Sequence, residues 1–459
     1  MPFRPWTRWK SERAQPNALA QEVGRLCADA RVHRVFEWFS RHERDIADFQ
    51  LAITAVPAPP FAEQARAAWL RQRLEPLGLR TTIDAVGNLL AARPGLGSGA
   101  HPAAHPEAPA VTVSAHLDTV FPASAQLNVR REQARLLGPG ISDNGSGLAA
   151  LWALAGAFHQ EGIVTAAPLL LVANVGEEGE GNLRGVRHLY RGHLAKPAAV
   201  PDAAPAPAIA LLIAVDGAGT DNIISQALGS RRFEIVITGP GGHSWSDHGA
   251  PNPIVAAALV VSTLARIPLP VNPRTTLNIG SIEGGTSINT IPERAVLKVD
   301  LRSSDPLRIN ELEQLLRRAV ADACNQTQAH SAHPRTRLSY AITMVGERPA
   351  GELPATSPLL AAIRAVDAQL GIQAQLLRAS TDANVPLSLG LDAVALGAGG
   401  SGGGAHTLHE WFDPAGREQA LRRLALLILL LAGLAPEDAR PPLELPHDDA
   451  PAPNSQEPV

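Results

Sequence analysis

His116-Leu117-Asp118 closes an apolar run at 111–117 that reads as a β-strand. In an extended chain the first and third residues share a face, so the His116 imidazole and the Asp118 carboxylate address one point. A metal-binding imidazole usually has its far nitrogen held by a carboxylate, which suits His116 as a ligand and Asp118 as its orienter. The turn-rich segment Gly140-Ile141-Ser142-Asp143-Asn144-Gly145 then offers Asp143, either as the cap of a following helix or as a ligand. Val175-Gly176-Glu177-Glu178-Gly179 places two adjacent carboxylates in a glycine-bounded loop, where diverging neighbours can divide metal binding from proton transfer. Val215-Asp216-Gly217 ends the next apolar run with another acid, and Ala405-His406-Thr407-Leu408-His409-Glu410 adds two imidazoles. Acids scattered over a solvated surface would not recur so regularly at strand ends. Imidazole and carboxylate without thiolate suit zinc, cobalt or manganese.

The elements that must position these residues follow from the apolar pattern. Runs at 110–117, 167–175, 208–215 and 393–396 read as buried strands, and helical spacing recurs at 147–160, 185–194, 357–370 and 414–434. Strands alternating with helices predict an α/β fold: a mostly parallel sheet covered by helices, with ligands gathered at the strands' carboxyl ends. From Arg231 the texture changes to strands at 233–238, 275–282, 295–302 and 337–345 with helices at 253–266 and 309–324, an inserted α+β layer. The expected organisation is a first part of the main domain at 17–229, the insertion at 230–346, a second part at 347–435 and a disordered tail at 436–459. The segments at 95–109, 196–207 and 436–459 are rich in Ala and Pro and hold too little apolar surface to offset ordering.

Composition removes several classes of function. The 40 basic and 44 acidic side chains leave a net charge of -4, so no basic field exists to bind nucleic acid. Cys27 and Cys324 are the only cysteines in 459 residues, which excludes a disulfide framework and a cysteine-rich zinc cluster and points to the cytoplasm. The basic segment 1–16 lacks the apolar stretch of a signal peptide, and the aliphatic run 424–434 is about half the ~20 residues of a membrane span, so it reads as a buried terminal helix. The pairs His101 with His105 and His330 with His333 have metal-like spacing but no element to aim them. Gly399-Gly400-Ser401-Gly402-Gly403 satisfies the serine nucleophile pattern, yet the next helix starts some ten residues later rather than at once. Backbone N–H groups of that loop, near Gly400, could instead hold a substrate carboxylate.

Taken together, His116-x-Asp118-Thr119, Asp143 before Asn144-Gly145, Glu177-Glu178, Asp216, Gly242-His243-Ser244 and His406-x-x-x-Glu410 resemble the M20 family of metallopeptidases and deacylases over roughly 36–434. Asp at position 216 is similar to the peptidase T-like branch. The resemblance implies a zinc exopeptidase-like catalytic domain with an inserted lid and dimerisation domain, and therefore a homodimer. It implies two divalent metal ions, zinc first and cobalt or manganese as alternatives: Asp143 bridging, His116 and Asp216 completing one ion, Glu178 and His406 the other. Within this pattern His406 is preferred to His409, because the ligand stands four residues before a Glu.

The same resemblance makes Glu177 the general base and acid, keeps Asp118 beside His116, and gives His243 an oxyanion-stabilising role, often in a partner subunit's site. Asn289 and Arg302 become candidate substrate binders, joined by Arg378, while Asp382 reads as a helix cap or a carboxylate behind the ligands. The expected activity is hydrolysis of di- or tripeptides from one end, with deacylation of N-acyl amino acids as the alternative. A serine hydrolase using Ser401 and a non-catalytic small-ligand binding protein are the readings from other classes.

Overall fold

The computed structural model describes residues 16–96, 110–194, 209–332 and 337–439. His101, His105 and His333, the basic segment 1–15, nearly all of the two internal Ala- and Pro-rich stretches and the tail from 440 lie outside the described residues.

A sheet of nine strands among the described residues forms the larger unit, in spatial order Arg80–Ile83, Leu89–Arg93, Leu169–Asn174, Ala110–His116, Ile209–Val215, Ala393–Leu396, Asn222–Ala227 and Gly351–Glu352, with Gln375–Ala379 also paired to Asn222–Ala227. The middle of the sheet, from Leu169–Asn174 across to Ala393–Leu396, is parallel. Its margins are antiparallel apart from Gln375–Ala379. Every residue of Ala110–His116 and of Leu169–Asn174 is buried. Strands covered on both faces need apolar side chains on both, which is why these segments are continuous hydrophobic runs rather than alternating ones.

Helices Gly145–Gln160 and Arg417–Ala432 pack on the central strand Ala110–His116. Residues 424–432 of the second are all buried, as an all-round apolar helix must be in water. Among the described residues no helix is long and apolar enough to cross a membrane.

The chain leaves the larger sheet at Leu228 and returns to it at Pro349-Ala350. Between these points lie four antiparallel strands in the order Thr275–Gly284, Arg294–Ser303, Gly229–Thr238 and Ser339–Arg348. Helices Pro253–Leu264 and Pro306–Ala329 supply Ala256, Val260, Leu316 and Val320 to a separate core with Phe233, Ile235, Leu297 and Val299. Each helix begins with Pro after a capping residue, Asn252 accepting from Ile254 N–H and Asp305 from Leu307 N–H.

Several strands were not anticipated. Asn222–Ala227, the largely exposed Gln375–Ala379, and a small sheet of Ser401–Gly403, Trp411–Asp413, Arg135–Leu137 and Arg130–Glu132 are short and partly polar. At three to six residues with polar positions among them, they carry little local apolar periodicity.

Candidate metal centre

Parallel strands set their carboxyl ends along one edge, and that edge collects the candidate residues. His116 closes its strand, Glu177 and Glu178 follow Leu169–Asn174 after Val175-Gly176, and Asp216 follows Ile209–Val215 directly. The loop beyond Ala393–Leu396 leads through Ser401–Gly403 to His406, whose backbone is left-handed with φ of 64°. Asp143 comes from the loop before helix Gly145–Gln160. Capping there falls to its neighbour: Asn144 Oδ1 accepts the N–H of Gly147 at 3.0 Å, which leaves the Asp143 carboxylate facing the cleft.

Three groups of donors each have their ligand atoms within 4.8 Å of one another: His116, Asp143 and Asp216; Asp143, Glu178 and His406; and His116, Glu177 and Glu178. Asp143 Oδ1 lies 3.0 Å from His116 Nε2. Its other oxygen, Oδ2, lies 3.3 Å from His406 Nε2. One carboxylate thus faces both imidazoles. Asp216 Oδ1 is 3.7 Å from His116 Nε2, and Glu178 Oε1 is 2.9 Å from His406 Nε2. The donor chemistry of imidazole and carboxylate fits divalent zinc, cobalt or manganese, and the shared Asp143 fits a pair of ions.

Other residues hold this set in place. Glu410, buried, accepts the N–H groups of Gly140, Ser142 and Asp143, each at 2.8 Å, and so fixes the loop that presents Asp143. The Arg66 guanidinium, also buried, donates to the carbonyl of Leu117 at 2.7 Å, just past His116. Asp118 departs from its expected contact. Its main-chain oxygen, not its carboxylate, lies 3.0 Å from His116 Nδ1, and Oδ1 stands 3.8 Å away. The carboxylate reaches the loop after the adjacent parallel strand, accepting the N–H of Glu177 at 3.0 Å and of Glu178 at 2.7 Å. Asp382 is buried as well, accepting from Asn174 Nδ2 at 2.7 Å, and it caps no helix.

The donors open on a cleft of about 510 Å³, within the range of small-ligand pockets. Asp143, Glu177, Glu178, Asp216 and His406 line one side, and Ser230, Arg232, Arg302 and Arg348 from the inserted sheet line the other. The model of the peptidase family M20/M25/M40 matches residues 112–431.

The chain belongs to the M20 family. That family is one of peptidases. A probable carboxypeptidase of Aspergillus terreus is 32% identical over 238 residues, 49% of this chain and 51% of that protein. The chain therefore spans about half the length of the curated relatives it matches. A tripeptidase of Staphylococcus aureus shares the fold at a TM-score of 0.66 and 19% identity, over 85% of this chain and 98% of that one. A dinuclear metal-binding peptidase of the M20 family from Bacillus subtilis does so at 0.60 and 16%, over 86% and 99%. The donor groups, on a fold shared with a dinuclear protein, support binding of divalent metal.

The remaining candidates of this M20 chain divide between cleft and surface. Arg302 lines the cleft, its Nε donating to Asp300 Oδ2 at 2.6 Å, and Arg232 Nε lies 3.4 Å from Oδ1 of the same acid. Asn289 and His243 are exposed on the inserted layer and do not line the cleft; Thr290 pairs with His243 in a two-residue ladder. Arg378 is exposed and donates to Gln226 at 2.8 Å, away from the cleft. Gly400 also lies outside it. With φ of 62°, a Cβ there would stand 2.4 Å from the Asp413 carbonyl, so its glycine answers to a close turn. Ser401 is exposed in a strand, not on a strand-to-helix turn, and His409 is exposed and in none of the donor groups. Arg232 and Arg348, which line the cleft, were missed by sequence reasoning, because no local motif marks them.

Burial disfavours the His116 cation, but its hydrogen bonds to Asp143 and Asp216 outweigh that and hold the imidazolium well above its ordinary range. Hydrogen bonds to Asp143 and Glu178 raise His406 to about 10. Metal entering below that pH must displace protons, so affinity rises with pH and uptake at pH 7 releases acid. Calorimetric titration of metal into the ion-free protein should give enthalpies that differ between buffers of different ionisation enthalpy; identical values would reject proton release.

Proposed function

We propose that this chain is a metal-dependent exopeptidase acting on di- or tripeptides, with Glu177 moving the proton. The reading is carried by one observation: Asp143 presents one oxygen to the His116 and Asp216 side and the other to the His406 and Glu178 side, in a cleft that also exposes Glu177. Divalent ions bound there, zinc foremost, would polarise the scissile carbonyl and lower the pKa of water from 15.7 toward ~7. His116 is held with Nε2 toward Asp143 and Asp216 by the Asp118 main-chain oxygen on Nδ1. Glu177 accepts the proton of the attacking water and returns it to the leaving amine. Arg232 and Arg302 share the single charge of Asp300, which leaves guanidinium charge for a substrate carboxylate at the cleft wall. His243 and Asn289 enter this reading only through a second copy of the chain, paired through the inserted layer; cytoplasmic location belongs to the same reading.

A free carboxylate is also what an N-acyl amino acid offers, so deacylation is the second reading. Both are separated by one panel. Chelator-treated protein, with zinc, cobalt or manganese added back, is assayed on di- and tripeptides with free and blocked termini and on N-acyl amino acids. Release of a terminal residue from peptides, lost on chelation and restored by metal, is expected. Hydrolysis of acyl amino acids alone would replace the proposal by the deacylase. Turnover that survives chelation and disappears in Ser401→Ala would reject both.

A further inference from the structure

Arg348 is the last residue of the inserted sheet's strand Ser339–Arg348, yet its guanidinium reaches the loop that follows Leu169–Asn174 in the other sheet. Nη1 donates to Glu177 Oε1 at 2.8 Å and to Ser380 Oγ at 3.0 Å, and Nη2 donates to the main-chain oxygen of Glu177. The two side chains are buried, 8% and 6% exposed. Beside this contact the N–H of Glu347 donates to Asn182 Oδ1 at 2.9 Å, and Arg187 Nη2 to the Glu347 carbonyl at 2.6 Å. The end of the strand is thereby tied to the Glu177 loop at consecutive residues.

We propose that Arg348 is the positioning residue of Glu177: gripping one carboxylate oxygen and the main-chain oxygen of the same residue, it aims the other oxygen, Oε2, into the cleft. Among the described residues no hydrogen bond reaches Oε2, and Glu177 lines the cleft. A buried Arg–Glu pair adds little to stability over a well-packed apolar pair, so the pair here is matched to geometry rather than to holding the sheets together. The fork suits the two acceptors because Nη1 and Nη2 present their N–H groups in one fixed plane, an arrangement the flexible, compact ammonium of lysine does not hold. The inference rests on Glu177 being the proton acceptor.

Arg348→Met and Arg348→Lys, purified with metal and assayed on trialanine, test it. Arg348→Met should lower kcat by about 10²-fold, the scale of a misplaced reacting group, with KM and metal content close to the parent's, while the melting temperature falls because the buried Glu177 loses its partner. Arg348→Lys should recover part of the loss, and in a crystal structure of Arg348→Met the Glu177 carboxylate should be displaced by about 1 Å or more. Parent-like kcat in Arg348→Met, or an unmoved Glu177, overturns the proposal. Loss of metal together with turnover in both variants also overturns it, since Arg348 would then be structural. Should Arg348→Met not fold, Arg348→Lys decides: a kcat about tenfold lower with metal retained supports the role, and a parent-like kcat rejects it. Glu177→Gln separates the two claims. If that variant keeps turnover, the reading of Glu177 fails and this inference with it; if it loses turnover while Arg348→Met does not, only Arg348 is misassigned.

Discussion

Glu177→Gln is expected to lower kcat by about 10²- to 10⁴-fold while bound divalent metal stays at the parent's level. The amide is nearly isosteric and still accepts the hydrogen bond that Arg348 Nη1 gives to Oε1, so the loop keeps its shape. What disappears is the ability to take a proton. Burial raises the Glu177 carboxyl well above the usual range, against the opposing charge of Arg348, and a raised pKa makes the carboxylate a stronger base. Glu178→Ala, one residue on, should act differently. Glu178 Oε1 is 2.9 Å from His406 Nε2, in a donor group with Asp143, so its removal should lower metal content. Glu177 also lies within a donor group, with His116 and Glu178, which gives the comparison its force. Metal analysis of both purified variants is the check, and equal metal loss in the two would reject the division of labour.

Asp143→Ala should remove both ions, and Asp216→Ala one. Asp143 belongs to two donor groups at once, whereas Asp216 belongs only to the group with His116. Loss of affinity in Asp143→Ala should exceed the ~10- to 100-fold that follows removal of a residue that merely orients a ligand. In Asp216→Ala the Asp143, Glu178 and His406 group is untouched. Metal stoichiometry by elemental analysis, measured at equal free metal, distinguishes the two variants. One ion bound to Asp143→Ala at parental affinity would mean that the carboxylate is not shared.

Much of this centre could be read along the chain, for a physical reason. Strands buried on both faces must be apolar throughout, so an acid or imidazole at the end of one stands out against its run, as His116, Glu177, Glu178 and Asp216 do. Residues on irregular backbone were less legible. Asp143 could have been a helix cap until Asn144 was seen to fill that place, and His406 and His409 differ by only three positions while one faces Asp143 and the other faces solvent.

Sequence alone determined the donor types, their order and the elements that carry them, because burial, strand period and side-chain chemistry are local properties. Tertiary structure decided the partners. Asp118, two residues past the end of its strand, lends its carbonyl to His116 and its carboxylate to the loop after the adjacent strand. Arg348 meets Glu177 across 171 positions, and Glu410 meets the Asp143 loop across 267. A hydrogen bond acts over about 3 Å of space whatever the separation along the chain, so such pairings become visible only once folding brings the segments together.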